Sequence, residues 1–201
     1  MRRNEVRQRV SEGIIIGLIV GVITFFFTAC FELQRANNDQ RIENLRFVRE
    51  RSSDDPNLPR PFRGLDLEKQ NLSGLRLPGA QLVNANLNGA DLKYAFLPAV
   101  GFNAAHLEGA DLSDTTLHET KFIAAHLKSP KIIHAFAISA SFKGSDLSGT
   151  DFSRSSLQGA DFTDVKNLNS ATLSEVCWDS STIWPEGFTP PPSAEAVNCP
   201  S

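Results

Sequence analysis

The sequence predicts an all-β solenoid preceded by an apolar α-helix, and three observations carry that prediction. Leucine or phenylalanine recurs at every fifth position from Leu67 to Phe162, broken only by Ile132 and Ala137. Two residues before most of these centres stands a small side chain, as at Ala80, Ala85, Ala90, Ala105, Ala110, Ala125, Ala135, Ala140 and Ala160. Finally, residues 13–31 form an uncharged run bounded by Glu12 and Glu32. A helix repeats near 3.6 residues and a strand alternates in twos, so neither accounts for a period of five. A unit with one large and one small apolar group cannot bury a core alone, and it must stack on copies of itself.

The repeated segments can be read directly: GAQLVNAN at 79–86, LNGADLKYA at 87–95 and LQGADFTD at 157–164, giving a unit A(D/N)LXX. This pattern resembles the pentapeptide-repeat family over residues 62–183, about three fifths of the chain. Self-similarity at a fixed period outranks local propensity. The resemblance implies a right-handed quadrilateral β-helix of about five to six coils, four units to a coil. The central Leu or Phe and the preceding small residue would point inward, with the other three positions facing solvent. Coils paired at the strand spacing of ~4.8 Å would make five of them rise about 24 Å.

The elements follow in order. Residues 1–12 form a basic tail with Arg2, Arg3, Arg7 and Arg9. At ~1.5 Å per residue the run 13–31 would reach about 28 Å, close to the ~30 Å hydrocarbon thickness of a bilayer, so the first expectation is a single transmembrane helix. A secretory signal peptide and a lipoprotein processed at Cys30, after Phe27-Thr28-Ala29, are the alternatives. The basic residues before the span slightly outnumber those just after it, which leans the repeats toward an extracytoplasmic location. Residues 32–51 read as a charged juxtamembrane helix capping the first coil, with self-association the weaker reading. Residues 52–61, with Pro56, Pro59 and Pro61, read as a linker. The repeat domain with its cap spans 62–188, and 189–201 is expected to be a flexible proline-rich tail.

Register within the coils is a sharper expectation than the fold itself. Residues twenty apart should lie one above another, so Phe102, Phe122, Phe142 and Phe162 should form an internal ladder, with Leu67, Leu87, Leu107, Leu127 and Leu147 on another face. After Phe162 the frame slips by one and resumes at Leu168, Leu173, Trp178 and Ile183. Trp184-Pro185-Glu186-Gly187-Phe188 then resembles a closing segment of bacterial family members, whose aromatics would cover the last coil. Cys177 and Cys199 are a candidate disulfide, with two unrelated thiols the equal alternative.

No catalytic, cofactor-binding or metal-binding set emerges. His106 and His126 share an outward column with Asp146, yet a flat ladder offers ligands from one side while zinc takes a closed tetrahedral set. The serines and aspartates follow the repeat frame rather than a nucleophile constellation. What remains is a surface for a protein partner, whose identity the sequence does not give. The repeat lapses at 129–138, and the frame turns Ile133, Phe136 and Ile138 outward, with Phe96 two coils away on the face of Phe136. Clustered exposed apolar groups mark interaction sites. Local distortion, with Pro130 and Ala137 bulging the chain, is the competing reading.

Some family members mimic B-form DNA and bind type II topoisomerases, and the resemblance brings that as the alternative function. Residues 62–188 hold fourteen acidic and ten basic side chains. DNA carries one charge per ~1.7 Å of axis, far denser than this. Direct nucleic-acid binding is disfavoured, because the pI is near 5.8 and no aromatic platform alternates with the basic residues. The expected role is a membrane-anchored, non-catalytic scaffold.

Overall fold

The computed structural model describes the backbone of residues 2–55 and 58–194, and the side chains of those ranges from residue 22 onward. The chain divides into two compact units, Met1–Gln40 and Arg41–Ser201. One helix, α1, covers Arg2–Arg49.

The expectation of a membrane span and a single-pass location is corrected here. Among the described residues, no helix is long and apolar enough to cross a membrane. The side chains of residues 13–21, the first part of the expected span, lie outside the described residues. In the described part of α1 the apolar run ends at Phe31, and Glu32, Arg35 and Asp39 follow within two turns. Cys30 on this helix is exposed and free.

The second unit is a stack of square coils. Its parallel bridges step by twenty residues along four columns. One runs Pro61, Gln81, Gly101, Lys121, Ser141 and Asp161, and another Asp66, Asn86, His106, His126, Asp146 and Lys166. The third holds Asn71, Asp91, Asp111, Lys131 and Asp151, and the fourth Arg76, Phe96, Thr116, Phe136 and Ser156. Each bridge is isolated, so the expected β-structure takes the form of single-residue rungs joined by turns rather than extended strands.

The unit A(D/N)LXX has a physical reason at each position. The amide of the small residue closes a turn on the carbonyl of the preceding centre, as Ala105 does on Phe102 at 2.9 Å. That turn needs a left-handed residue before it, filled by Gly149 at φ 64° but also by Ala104 at 53° and Ala124 at 54°. The Asp or Asn accepts the amide two residues on, as Asp151 does from Ser153 at 2.9 Å and Asp91 from Lys93 at 3.1 Å. An Asx side chain therefore closes the turn and removes an orphan donor. Where threonine replaces the small residue its buried hydroxyl finds a carbonyl, in the coil beneath for Thr120 to Leu97 at 2.7 Å and Thr150 to Leu127 at 2.8 Å, and in its own turn for Thr115 to Leu112 at 2.6 Å.

The core is continuous from Phe62 to Val176. Phe102, Phe122, Phe142 and Phe162 are fully buried and stack with centroids 5.1, 5.1 and 5.0 Å apart, nearly parallel. Offset aromatic pairs of this kind add ~0.5–1.5 kcal/mol each beyond area burial.

Both ends of the stack are closed. At the first coil, Val48 of α1 is buried and Phe47 meets Phe62 edge-on at 5.6 Å. Asn44 donates to the Asp66 carbonyl at 2.9 Å and Arg49 to that of Asn71 at 3.0 Å. Arg41 pairs with Asp66 at 2.7 Å and also with Glu68, and the hydrogen bond to Asp66 is the main cause raising its guanidinium above the ordinary arginine value. Arg60, nearly buried, donates to the carbonyls of Arg51, Ser53, Asp55, Leu58 and Pro78.

At the last coil the period lengthens twice. Asp151 bridges Thr172 and Ser156 bridges Cys177, at a spacing of twenty-one, and Asp161 bridges Ile183 at twenty-two. The first extra residue enters at Asn167, left-handed at φ 59°, ahead of a 3₁₀ turn at Leu168–Ser170. The second lies before Ile183. Ile183 is consequently not an inward centre as the sequence suggests; it is an exposed rung, and Trp184 takes the inward place. Trp184 extends the phenylalanine ladder onto Phe162 at 4.8 Å and 3°. Phe188 leans on Trp184 at 5.4 Å. The described start of the tail is tied down as well. Pro191 accepts from the Trp178 indole at 2.9 Å, and the Ala194 amide donates to Val176 at 2.8 Å.

Candidate interaction surface

The outward face of a coil is built by its rungs and turn residues, so surface features form columns twenty residues apart. Phe96, Thr116 and Phe136 are consecutive rungs of one column. All three are half-buried, as are Ile133 and Ile138. The Arg76 guanidinium lies over the Phe96 ring at 4.3 Å. The Thr116 rung separates the two phenylalanines, which accordingly do not form an aromatic pair.

The coil does not bulge where the repeat lapses. Asp151 donates to the Pro130 carbonyl at 3.1 Å, Leu117 to that of Phe136 at 2.8 Å, and Ala137 to that of Ser156 at 2.9 Å. Ala137 and Ile132 are fully buried in line with the other centres. The register therefore survives the change in sequence, and the side chains at 133, 136 and 138 are set on a rigid face.

The adjoining corner carries groups that the pattern of departures did not single out. Tyr94 is the most exposed large apolar side chain of the coils, at 67%. In its column follow Asp114, His134, Arg154 and Glu175. His134 Nδ1 lies 2.8 Å from Asp114, and Arg154 donates to Glu175 at 2.9 Å. The His134 ring meets Phe136 edge-on at 6.3 Å. Tyr94 and His134 thus border the face that carries Phe96 and Phe136. Counting in twenties from either residue finds this column in the sequence; looking only for apolar departures passes over it.

His106 and His126 are exposed and stack at 4.6 Å and 2°. Asp146 forms the next rung, and its carboxyl is held below the usual carboxylate range by hydrogen bonds, first from Asn167 and then from Ser148. Asp179 is lowered in the same way, chiefly by Ser181. Among the described residues no group of three His, Cys, Asp or Glu side chains is placed to hold a metal ion. An open hollow of about 400 Å³ lies beside the 3₁₀ turn, lined by Leu168, Asn169, Pro185, Glu186 and Phe188 among others. Cys177 is buried and disulfide-bonded, and Cys199, its candidate partner, lies outside the described residues.

Comparison with known proteins matches this geometry. The profile of pentapeptide repeats matches in eight copies over residues 62–97, 102–129 and 138–177. The chain belongs to the pentapeptide-repeat family. The profile passes over 130–137, the stretch where Pro130 and Ala137 replace the usual residues. Among solved structures, the pentapeptide-repeat protein Rfr23 from the cyanobacterium Cyanothece 51142 is 22% identical, covering 57% of this chain and 90% of that one, with a TM-score of 0.55. It shows the shared fold, a right-handed β-helix. HetL from Nostoc sp. strain PCC 7120, described as involved in heterocyst differentiation regulation, is 24% identical over 61% of this chain and 65% of that one, at a TM-score of 0.35. The plasmid-mediated fluoroquinolone resistance protein QnrB1 is 20% identical over 58% and 79%, at 0.26. No curated protein matches the sequence.

Proposed function

We propose that this pentapeptide-repeat protein is a non-catalytic scaffold that acts by protein–protein contact, through the face bearing Phe96, Ile133, Phe136 and Ile138 and bordered by Tyr94 and His134. One observation carries the reading: the coils keep their hydrogen-bonded register through 130–137 while Ile133 and Phe136 stand at outward positions beside the polar Lys131 and His134. The stretch departs from the repeat at inward positions 130, 132 and 137 without disturbing the backbone, and at the same time it sets Ile133, Phe136 and Ile138 on the outward face. Half-buried aromatics on a preorganised face suit protein contact, since few rotamers are lost on binding. The DNA-mimic alternative has less support, because Asp91, Asp111 and Asp151 share their column with Lys131 and the acidic stripe is interrupted.

The test replaces Tyr94 with a photo-crosslinking amino acid in the full chain, and compares it with the same protein carrying Ile133→Ser and Phe136→Ser. A discrete protein adduct that the double variant loses, with its thermal unfolding cooperative, supports the scaffold. An adduct indifferent to the two serines overturns this face as the contact. In parallel, inhibition or protection of a type II topoisomerase in a supercoiling assay would decide for the alternative.

A further inference from the structure

The exposed stretch of α1 has an internal order that composition alone conceals. Ile23, Phe26, Cys30, Leu33 and Asn37 are spaced by three, four, three and four residues, and all are exposed. Ile23 is 61%, Phe26 66% and Leu33 69% exposed, values far from those of side chains with a settled place to pack. The same spacing continues toward the N-terminus in the sequence at Ile19 and Ile16. Between residues 22 and 40 the charged residues are Glu32, Arg35 and Asp39. In the frame set by Ile23 all three fall on the side opposite the seam, where the exposed Phe25 and Phe31 also lie, and the positions flanking the seam include Ala29 and Ala36, small enough for close approach. A seam repeating every 3.5 residues with its charges on the back is the pattern of paired helices.

We propose that α1 pairs, parallel and in register, with α1 of a second copy of this chain through the seam Ile23, Phe26, Cys30, Leu33 and Asn37, making the protein a two-fold dimer. The seam with its neighbours Val22 and Phe27 offers roughly 700 Å² per chain, near the ~800 Å² per partner of a standard interface. Asn37 gives the direction. In a parallel pair it meets its own counterpart across the axis, where the two amides bond each other and fix the register. An antiparallel pair would set it against an apolar position and leave it unsatisfied. Parallel pairing also brings the two copies of Cys30 face to face. This inference is independent of the face proposed above on the coils.

Sedimentation equilibrium of the full chain should give twice the 22.0 kDa of one copy. Mild oxidation should yield a covalent dimer that Cys30→Ser abolishes while leaving the non-covalent dimer intact. Phe26→Glu should raise the dimer dissociation constant about 100-fold or more. Glu32→Gln, on the back of the helix, should leave it unchanged. The near-ultraviolet signal of Trp178 and Trp184 reports that the coils of each variant are folded. A folded chain that stays monomeric, or that floats with lipid vesicles as a monomer, overturns the proposal. So does a dimer that Phe26→Glu leaves untouched, or one that oxidation of Cys30 fails to trap.

Discussion

The first and last coils meet the same physical problem and close by different chemistry. At the beginning, Arg60 ties the carbonyls of Arg51, Ser53, Asp55 and Leu58 in the preceding segment to that of Pro78 in the first coil, while Asn44 and Arg49 reach the carbonyls of Asp66 and Asn71 from α1. At the end, an apolar opening needs a lid, and Trp184 lies on Phe162 with Phe188 leaning on it. The N-terminal closure thus adds directional, charge-assisted bonds to the packing of Phe47 and Val48, whereas the C-terminal closure is mainly area and ring stacking. The difference teaches that a solenoid need not repeat its own chemistry to stop; it needs only to satisfy whichever group the terminal coil leaves open.

Substitutions that remove one closure at a time test that contrast. Trp184→Ala should have the largest effect, about 3 kcal/mol by denaturant titration, because it truncates a large aromatic and uncovers Phe162. The loss should persist in high salt. Arg60→Met should cost about 2–3 kcal/mol, since the methionine keeps apolar volume while several carbonyls lose their donor. If Arg60→Met proves neutral, polar closure of the first coil is wrong.

Acid should act on the far end. The Asp146 carboxyl sits below its unfolded value, so its contribution is fully present above about pH 4 and is lost as pH falls through the lowered folded value. Asn167→Ala should flatten that dependence, measured as unfolding midpoint between pH 5 and pH 2. An unchanged acid limb would deny Asn167 its part in holding the slipped turn. The smallest effect belongs to the middle coils. Ala124→Gly relieves a left-handed alanine and should stabilise by no more than about 1 kcal/mol, with equal midpoints also consistent because glycine loses more entropy on folding. A clear destabilisation would show that the methyl group is doing something the backbone angle does not reveal.

Much of this fold is arithmetic in the sequence. The step of twenty that stacks Phe102 through Phe162 also places His106 on His126 and Phe96 two rungs from Phe136, because one spacing governs every column. Where the step changes, arithmetic stops. Ile183 and Trp184 are both large and apolar, and only the length of the preceding turn decides which of them enters the core. Arg60 was equally hidden, since its partners are backbone carbonyls and any residue could supply them. The apolar run before Glu32 misled for the opposite reason. Its composition suits a bilayer, but composition says nothing of which neighbours an individual side chain will meet. On the coils, the departures at 133, 136 and 138 were visible as exceptions, whereas Tyr94 and His134 were not, because a polar or aromatic turn residue breaks no rule of the repeat.

The single-residue rungs have a consequence for assembly. Each coil presents to the next the same upper edge that its predecessor presents to it, complementary to its own lower edge, and nothing in either edge identifies the chain it belongs to. A stack with an open terminus would accept the opposite terminus of another molecule and grow head to tail into a filament at the cross-β spacing of ~4.8 Å. Here the step to twenty-one and then twenty-two residues puts the last rungs out of phase with any fresh coil, and the Arg60 knot occupies the other terminus. The irregular ends are what keep a polymerisable repeat finite.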